Sequence, residues 1–503
     1  METSGLTSMK RIISLGVVLF WGAMVAWLIR RSFGSDVVLP PPPSLVPAGA
    51  SQPSAEQDGW MGIYHQNKKI GYFHRRLVPV EHGYRWEEQS QMKLRVMNTD
   101  QLVHTSVRAA IDKSYALQDF SFRLNSSGIV FEVTGKVIDE KTSGRELHGQ
   151  IVSAGNSSPF SFPLRDPVYL PSTTQMMLRG ASLKAGEERQ YSIFNPLSTK
   201  TETISVTALG PETLTLKGQQ LAVTKIAERF GGTTVHAWLD HEGKVVKEEA
   251  SLGLVLLREN REDALGGGWE DSTPLDLVAS AAIPVQQPLP EPRTLKHLQL
   301  KLLGPADMPQ FAFPPRQEMS GGTITITSET LSNLTTYQLP QADAAFALDL
   351  TDTPFVQSAH PRLRAQAEQI LGSERDAVKA ARLLLDWTYT TLAKEPSIGM
   401  PTALEALDSK RGDCNEHAVL FTALARAVGL PARVAAGVVY LEGAFYYHAW
   451  ADVWLGQWVA VDPVLQQFPA DATHVKFIEG GPEEHLALLK VIGQIGMEVI
   501  NYQ

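Results

Sequence analysis

The segment RGDCNEHAVLFTALARAVGLP, residues 411–431, contains the pattern from which the fold of this chain is derived. Asp413 is a favourable residue to begin a helix, because its carboxylate accepts hydrogen bonds from the first free backbone N–H groups. Gly429 and Pro431 are typical of a helix end. The residues between them are apolar on several faces, so the segment predicts a central helix that is buried on all sides. Cys414 falls in the first turn of this helix.

Cys414 is the only cysteine of the chain, which excludes an intramolecular disulfide and a cysteine-rich zinc site. A lone cysteine is ordinarily a small buried hydrophobic residue. In a first helical turn, however, unpaired N–H groups and the positive end of the helix dipole stabilise a thiolate and can hold an oxyanion. We therefore predict that Cys414 is a nucleophile.

Strand-like segments follow the helix at residues 432–440, 445–453 and 458–462. His448 lies in the second segment and Asp462 ends the third, so an antiparallel hairpin can bring the carboxylate to the imidazole. The register that puts these two residues directly opposite each other requires a turn of Trp454, Leu455 and Gly456. Glycine at the last position is typical of such three-residue turns. A slip of one residue would break the pairing, because it turns each side chain to the other face.

Three short motifs of this region resemble the transglutaminase-like superfamily in order and spacing: GDCNEHA, HAW and VDP, at residues 412–418, 448–450 and 461–463. The resemblance covers about residues 345–480. It implies a papain-like fold and a triad in which Cys414 is the nucleophile, His448 the general base and acid, and Asp462 the residue that orients His448. The implied reaction is attack on an amide to give a thioester, which water or an amine then resolves.

This resemblance implies an enzyme that acts on protein or peptide substrates without a metal or another cofactor, either a cysteine protease or amidase or a transglutaminase. Hydrolysis and transamidation use the same triad, so both stay open. The family usually adds an oxyanion donor upstream of the cysteine, and Trp387 is a candidate for it. The alternative function is a catalytically silent scaffold or binding protein of the cell envelope with the same fold, which a missing triad residue would favour.

Other residues near these motifs allow different interpretations. A metal site could use Cys414, His417 and His448, but no further ligand pair has a metal-like spacing. We favour hydrogen bonds from Glu416 and His417 that brace the start of the helix. Asp452 follows His448 on the same strand face, and it could replace Asp462 as the orienting acid.

Two more histidines need an interpretation. His474 is interpreted as structural, although it could line the cleft. His236, in the tripeptide His-Ala-Trp, repeats the motif at residues 448–450. It lies in a strand-rich region without a nearby cysteine, so we interpret this repeat as coincidence.

Residues 12–29 form an uncharged apolar run between two pairs of basic residues. At a rise of 1.5 Å per residue, a helix of this length nearly spans the roughly 30 Å hydrocarbon core of a bilayer. We predict an uncleaved membrane anchor, with a cleaved signal peptide as the alternative. The proline-rich segment 39–54 then serves as a stiff spacer. These features predict a single-pass membrane protein with an extracytoplasmic, periplasmic body.

The composition of the whole chain limits its class. A length of 503 residues with 43% hydrophobic and 20% charged residues indicates a globular protein of several domains. The net charge of −9 argues against a nucleic-acid partner, because no basic face can neutralise phosphates. The sequence does not indicate an oligomeric state.

These patterns together predict an α+β fold. It consists of an N-terminal transmembrane helix, antiparallel β domains, and a C-terminal transglutaminase-like, papain-like core whose central helix packs on an antiparallel sheet. The predicted division is a tail and anchor at 1–31, a proline-rich linker at 32–58, an antiparallel β domain at 59–265, a glycine- and proline-rich linker at 266–294, a small β module at 295–342 and the catalytic domain at 343–503.

Overall fold

The computed structural model describes residues 55–503, apart from residues 97–98, 127, 141–143, 154, 179–183, 232, 305–308, 335, 397, 486 and 489–493. The predicted anchor at residues 12–29 lies outside the described residues. Within them, every helix is too short or too polar to cross a membrane. This finding contradicts the predicted single-pass membrane localisation, because the described part of the chain contains no helix that could span a membrane.

A large antiparallel sheet accounts for the first half of the described chain. It contains, in chain order, β1 (Gln57–His65), β2 (Lys68–Val80), β3 (Gly83–Val96), β4 (Thr99–Asp112), β5 (Leu117–Ser126), β6 (Ile129–Glu140), β7 (Gly144–Ser153), β8 (Asn156–Leu164), β9 (Glu188–Asn195), β10 (Lys200–Leu216), β11 (Gln219–Phe230), β12 (Thr233–Leu239), β13 (Val245–Glu249) and β14 (Leu254–Glu259). Strands β1–β8 form one meander and β9–β14 a second, and pairing of β1 with β14 joins them. The short strand β15 (Leu275–Asp276) runs parallel to β3.

Alternation of side chains explains why these segments are strands with one enclosed face. In β3, the even-numbered residues Tyr84, Trp86, Glu88 and Ser90 are all buried. Successive side chains of a strand point to opposite faces, so a period of two places this set on one side of the sheet. Strands β12 and β13 form a hairpin in this sheet.

The remaining elements build the region that contains the candidate site residues. They are α1 (Arg261–Leu265), α2 (Leu277–Ala281), β16 (Ile283–Pro284), β17 (His297–Leu303), β18 (Gln317–Ser320), β19 (Thr323–Thr327), α3 (Pro361–Leu371), α4 (Ala377–Thr391), β20 (Ala393–Lys394), α5 (Ala403–Ser409), β21 (Arg411–Gly412), α6 (Cys414–Ala427), β22 (Ala432–Leu441), β23 (Ala444–Trp454), β24 (Trp458–Val461), β25 (Val475–Glu479), α7 (Pro482–His485) and β26 (Gly496–Tyr502).

Two antiparallel sheets support this region. In the first, β23 pairs with β22, β22 with β25, and the other edge of β23 carries β16 at one end and β24 at the other. The second has the order β18-β19-β17-β26. The C-terminal strand β26 therefore completes the small module predicted at residues 295–342. Buried side chains of both sheets and of α3–α6 belong to one apolar cluster.

The predicted α+β class is wrong, because the structure is mostly β, with 50% strand and 21% helix. The two long meanders between Gln57 and Glu259 supply most of the strand. The helices are short and are concentrated around α6. The share of helix was overestimated because the helical segment around Cys414 contains the most distinctive motif of the chain.

The predicted central helix is confirmed as α6, and its buried residues include the whole run from Glu416 to Ala425. A capping box begins it: Asp413 accepts a hydrogen bond from the Asn415 N–H at 2.8 Å, and the Glu416 carboxylate accepts one from the Asp413 N–H at 2.8 Å. Gly429 follows the helix end with φ of 78°, a conformation that L side chains rarely adopt.

The N-terminal sheet contacts the helices that lead to Cys414. Ser153, at the end of β7, donates a hydrogen bond to Glu405 of α5. Phe131 of β6 stacks on Phe355, with ring centroids 6.3 Å apart. The large sheet therefore packs against the region that precedes α6.

The burial of α6 predicts a large difference between two Leu→Ala substitutions in helices. Leu424 of α6 is fully buried, whereas Leu383 of α4 is 40% exposed. Because Leu424→Ala leaves a cavity in a packed core, we expect it to lower the free energy of unfolding by about 2–5 kcal/mol. The matched Leu383→Ala should cost less than about 1 kcal/mol. Urea titrations of both variants measure this, and equal losses would contradict the central position of α6.

Candidate active site

Cys414 occupies the first position of α6 and is 7% exposed. Helix α6 packs against β22 and β23, which brings its first turn to β23. A hydrogen bond from the backbone of Ala449 in β23 stabilises the thiolate form of Cys414. The thiol therefore lies against the residue that follows His448 in the chain.

His448 of β23 and Asp462, which follows β24, are hydrogen-bonded to each other. The distance between His448 Nε2 and Asp462 Oδ2 is 2.8 Å, and both side chains are buried. With a proton on Nε2 donated to the carboxylate, Nδ1 is left with its lone pair. In the described structure, Nδ1 of His448 makes no hydrogen bond. The Cys414 thiol makes no hydrogen bond to this imidazole either.

The hairpin that presents Asp462 has a different register from the predicted one. Trp454 pairs with Trp458, so the turn consists of Leu455, Gly456 and Gln457. The predicted turn began one residue earlier and was wrong. Gly456 still takes the left-handed conformation, with φ of 84°, but at the centre of the turn.

Despite this difference in register, the Asp462 and His448 side chains lie on the same face of the sheet. The observed pairing of Ala451 with Val461, continued by one residue, puts Asp462 beside Trp450 instead of His448. His448 and Trp450 are two residues apart and so share a face of β23. Asp462 therefore reaches His448 as a diagonal neighbour on the same face.

Asp462 is held by four hydrogen bonds. Its Oδ1 accepts the backbone N–H groups of Val464 at 2.7 Å and Leu465 at 3.0 Å. Its Oδ2 lies 2.8 Å from His448 Nε2 and 3.0 Å from Nε2 of a second histidine, His474. Burial alone would raise the pKa of Asp462, but the two imidazoles hold it well below its usual range. The carboxylate is therefore ionised.

The surroundings of Cys414 have the opposite effect, because they favour the neutral form of its thiol. Burial raises its pKa well above the usual value, the carboxylates of Asp413, Glu416 and Asp462 raise it further, and the Ala449 backbone hydrogen bond only partly offsets this. The predicted stabilisation of a thiolate is wrong for this state. The capping box is one physical reason, because it occupies N–H groups at the helix start that the thiolate would otherwise use.

The other residues considered from the sequence take different positions. Asp452 is buried in an ion pair with Lys476 and is not the partner of His448. His417 is fully buried, and its Nδ1 donates to the Asp413 carbonyl at 2.7 Å, which braces the helix start as predicted. Trp387 is half-buried against the core around α6, and its role as an oxyanion donor stays a prediction. His236 lies in β12 of the large sheet.

Two groups of site residues were not found from the sequence. Tyr447, next to His448, has its hydroxyl 2.7 Å from Asn415 Oδ1 and 3.1 Å from His485 Nδ1. Asn415 directly follows Cys414, and this adjacency was the one available signal. The second group is His474 with Asp471: His474 was interpreted as structural, and its spacing of three residues from Asp471 gives no indication that it reaches Asp462.

His448, Asp462 and His474 bring one possible ligand atom each to within 4.8 Å of one another. Their separations of 2.8 and 3.0 Å are hydrogen-bond lengths. A tetrahedral zinc ion with bonds of about 2.0–2.1 Å would hold its ligand atoms roughly 3.3 Å apart. We therefore interpret this group as a hydrogen-bond network and assign no metal ligand in it.

Comparison with known proteins gives a match to a family model and a match to a curated relative. The model of the transglutaminase-like superfamily matches residues 364–463. A protein-glutamine gamma-glutamyltransferase of Pseudomonas aeruginosa is 30% identical over 145 residues, which cover 25% of this chain and 21% of that protein. The chain thus spans about a fifth of the length of this relative.

Solved structures give weaker likenesses. A candidate cysteine protease from Cytophaga hutchinsonii has 17% identity and a TM-score of 0.29, covering 44% of this chain and 82% of its own. A β-barrel-like protein from Brucella abortus has 9% identity and a TM-score of 0.32, covering 41% of this chain and 96% of its own. These TM-scores are low, so the sequence matches remain the basis for the family.

The segment that matches the family contains Cys414, His448 and Asp462. Together with the capped helix, the buried His448–Asp462 pair and the motif order, this match identifies residues 364–463 as a transglutaminase-like domain.

Proposed function

We propose that the chain is a thiol enzyme that cleaves amide bonds of protein or peptide substrates through Cys414, His448 and Asp462. The observation that carries this proposal is the buried hydrogen bond between His448 and an ionised Asp462, next to the only cysteine of the chain. A buried carboxylate that holds one ring nitrogen of a histidine leaves the other nitrogen as a base.

The proposed first step is general-base attack. The Cys414 Sγ attacks the substrate carbonyl carbon while His448 Nδ1 takes the thiol proton. The resulting imidazolium then donates this proton to the leaving amine as the C–N bond breaks, and a thioester forms on Sγ. Asp462 remains ionised throughout and stabilises the imidazolium.

The second step releases the acyl group. Water or a primary amine attacks the thioester carbonyl, and His448 Nδ1 takes the proton of this nucleophile. The proton returns to Sγ as the C–S bond breaks, which regenerates the thiol. Water gives hydrolysis and an amine gives transamidation. The name of the Pseudomonas aeruginosa relative favours transamidation, whereas that of the Cytophaga hutchinsonii structure favours hydrolysis.

A silent scaffold is the second candidate function. The specific observation in its favour is the buried, neutral thiol, which makes no direct hydrogen bond to His448 in the described structure. Catalytic hydrogen bonds are often long before substrate binds, so this geometry is also compatible with an enzyme. Activity measurements separate the two.

Substitution of the triad should abolish turnover. We expect Cys414→Ala to remove all activity above background and His448→Gln to lower kcat by about 10³-fold or more, because neither retains the attack step. Fluorescent-amine incorporation into a glutamine-containing protein and peptide release measure transamidation and hydrolysis in parallel. The matched control is His236→Gln, since this histidine occupies the same tripeptide in the large sheet.

The pair of assays also tests the proposal itself. Activity that survives in Cys414→Ala would contradict it. Absence of both reactions in the wild type, over a panel of protein and peptide substrates, would favour the scaffold.

The raised pKa of Cys414 predicts a thiol that is neutral at about pH 7. The deprotonated form is penalised by burial, so thiolate absorbance in the ultraviolet should develop only above the usual value for cysteine, about 8.5. Because the chain has one cysteine, the difference between wild type and Cys414→Ala isolates this signal. Full thiolate absorbance at about pH 6 would instead indicate a preformed thiolate–imidazolium pair and contradict the general-base route.

A further inference from the structure

Asp462 is shared between two histidines, and the reaction proposed above uses only one of them. His474 lies in the loop between β24 and β25 and is fully buried. Its Nε2 is 3.0 Å from the same Oδ2 atom that receives His448 Nε2. The two imidazole Nε2 atoms therefore share one carboxylate oxygen.

Both ring nitrogens of His474 face acceptors. On the Nε2 side is the ionised Asp462. On the Nδ1 side are the Asp471 carbonyl oxygen at 3.2 Å and the Asp471 carboxylate at 3.4 Å. A neutral imidazole carries one N–H and would turn a bare lone pair towards one of these oxygens. Two hydrogen bonds therefore require a proton on both nitrogens, which makes His474 an imidazolium.

The charges around His474 agree with this assignment. Burial lowers its pKa, but the hydrogen bonds and charges of Asp462 and Asp471 outweigh burial and raise it. Burial likewise would raise the pKa of Asp471, but His474 and Arg293 hold it well below its usual range. Two other buried cations form their ion pairs with carboxylates other than those of Asp462 and Asp471. Arg316 donates to the Asp471 carbonyl and pairs with Glu329, and Lys476 pairs with Asp452 and Glu479.

The result is a buried row of alternating charges that ends at the proposed base. Arg293 donates to Asp471 at 2.9 Å, Asp471 holds His474, and His474 and His448 share Asp462. A fixed positive charge on His474 neutralises part of the field that Asp462 exerts on His448. Without that charge, Asp462 would bind the proton on His448 more strongly.

We propose that His474 is a positioning residue: its doubly protonated ring holds the shared oxygen of Asp462 with a positive charge and thereby sets the pH range over which His448 exchanges a proton with Cys414. This inference rests on the proposed function, because the role of His448 as base comes from there. It gives a function to a residue of the loop between β24 and β25 that lies outside all three sequence motifs.

The test substitutes the second histidine by a neutral residue that still donates a hydrogen bond, His474→Gln. With the charge removed and the donor kept, the acid limb of kcat/KM against pH should move up by about one pH unit, since removing a nearby like charge favours the protonated form of His448. A purely structural role would lower kcat or the melting temperature without moving this limb, and that result would overturn the proposal.

A readout without turnover separates this proposal from the proposed function. In protein labelled with ¹³C at the histidine Cε1, the resonance missing from His448→Gln assigns His448. Its titration midpoint should rise by about one pH unit in His474→Gln and stay unchanged in the control His236→Gln. If the wild type has no Cys414-dependent activity, the proposed function fails, while the titration still decides the effect of His474.

A second variant guards against misfolding of the first. Asp471→Asn keeps the carbonyl acceptor but removes the charge that retains the proton on His474. It should move the His448 midpoint in the same upward direction, by a smaller amount. An unchanged midpoint in this variant, in folded protein, would also overturn the proposal.

Discussion

The burial of α6, which is unbroken from Glu416 to Ala425, is the constraint on which the site depends. A helix that is apolar on nearly every side has to be enclosed, and here α3, α4, α5, β22 and β23 surround it. Only its polar first turn can meet a substrate. That turn reaches β23 next to His448, so the packing of one helix decides where the cysteine, the histidine and the carboxylate come together.

The same burial determines which groups carry charge. An ionised carboxylate inside a core is costly unless hydrogen bonds replace water, and Asp462 has four of them. Cys414 has one backbone hydrogen bond and three carboxylates among the charges that act on it, so it stays neutral. This contrast supports a mechanism in which the thiol loses its proton during attack. It also gives His474 a role, because its positive charge limits how strongly Asp462 acts on His448.

Local signals made α6 and its flanking strands predictable from the sequence. Asp413 and Gly429 each act within a few residues, and the structure retains them at the two ends of the helix. The hairpin turn was displaced by one residue, because Gly456 can serve at either of two turn positions. A turn displaced by one residue shifts the pairing of the two strands by two residues, so Asp462 stayed on the same face as His448.

Contacts between segments that are distant in the sequence could not be predicted from it. Nothing near His474 in the sequence indicates that it meets Asp462, and Arg293, which pairs with Asp471, lies 178 residues away from it in the chain. The expectation of a stabilised thiolate failed because the burial of Cys414 and the approach of Asp462 arise only on folding, although Asp413 and Glu416 are its neighbours in the sequence. The α+β class was wrong because the meanders before Glu259 carry no motif and yet make up most of the strand content.

The most direct measurement of the central claim is intact-protein mass spectrometry of the enzyme trapped during turnover of a glutamine-containing peptide. The account predicts an acyl adduct that peptide mapping places on Cys414, that hydroxylamine removes as expected for a thioester, and that is lost in His448→Gln. Turnover with no adduct on Cys414, or an adduct on another residue that persists in Cys414→Ala, would contradict it.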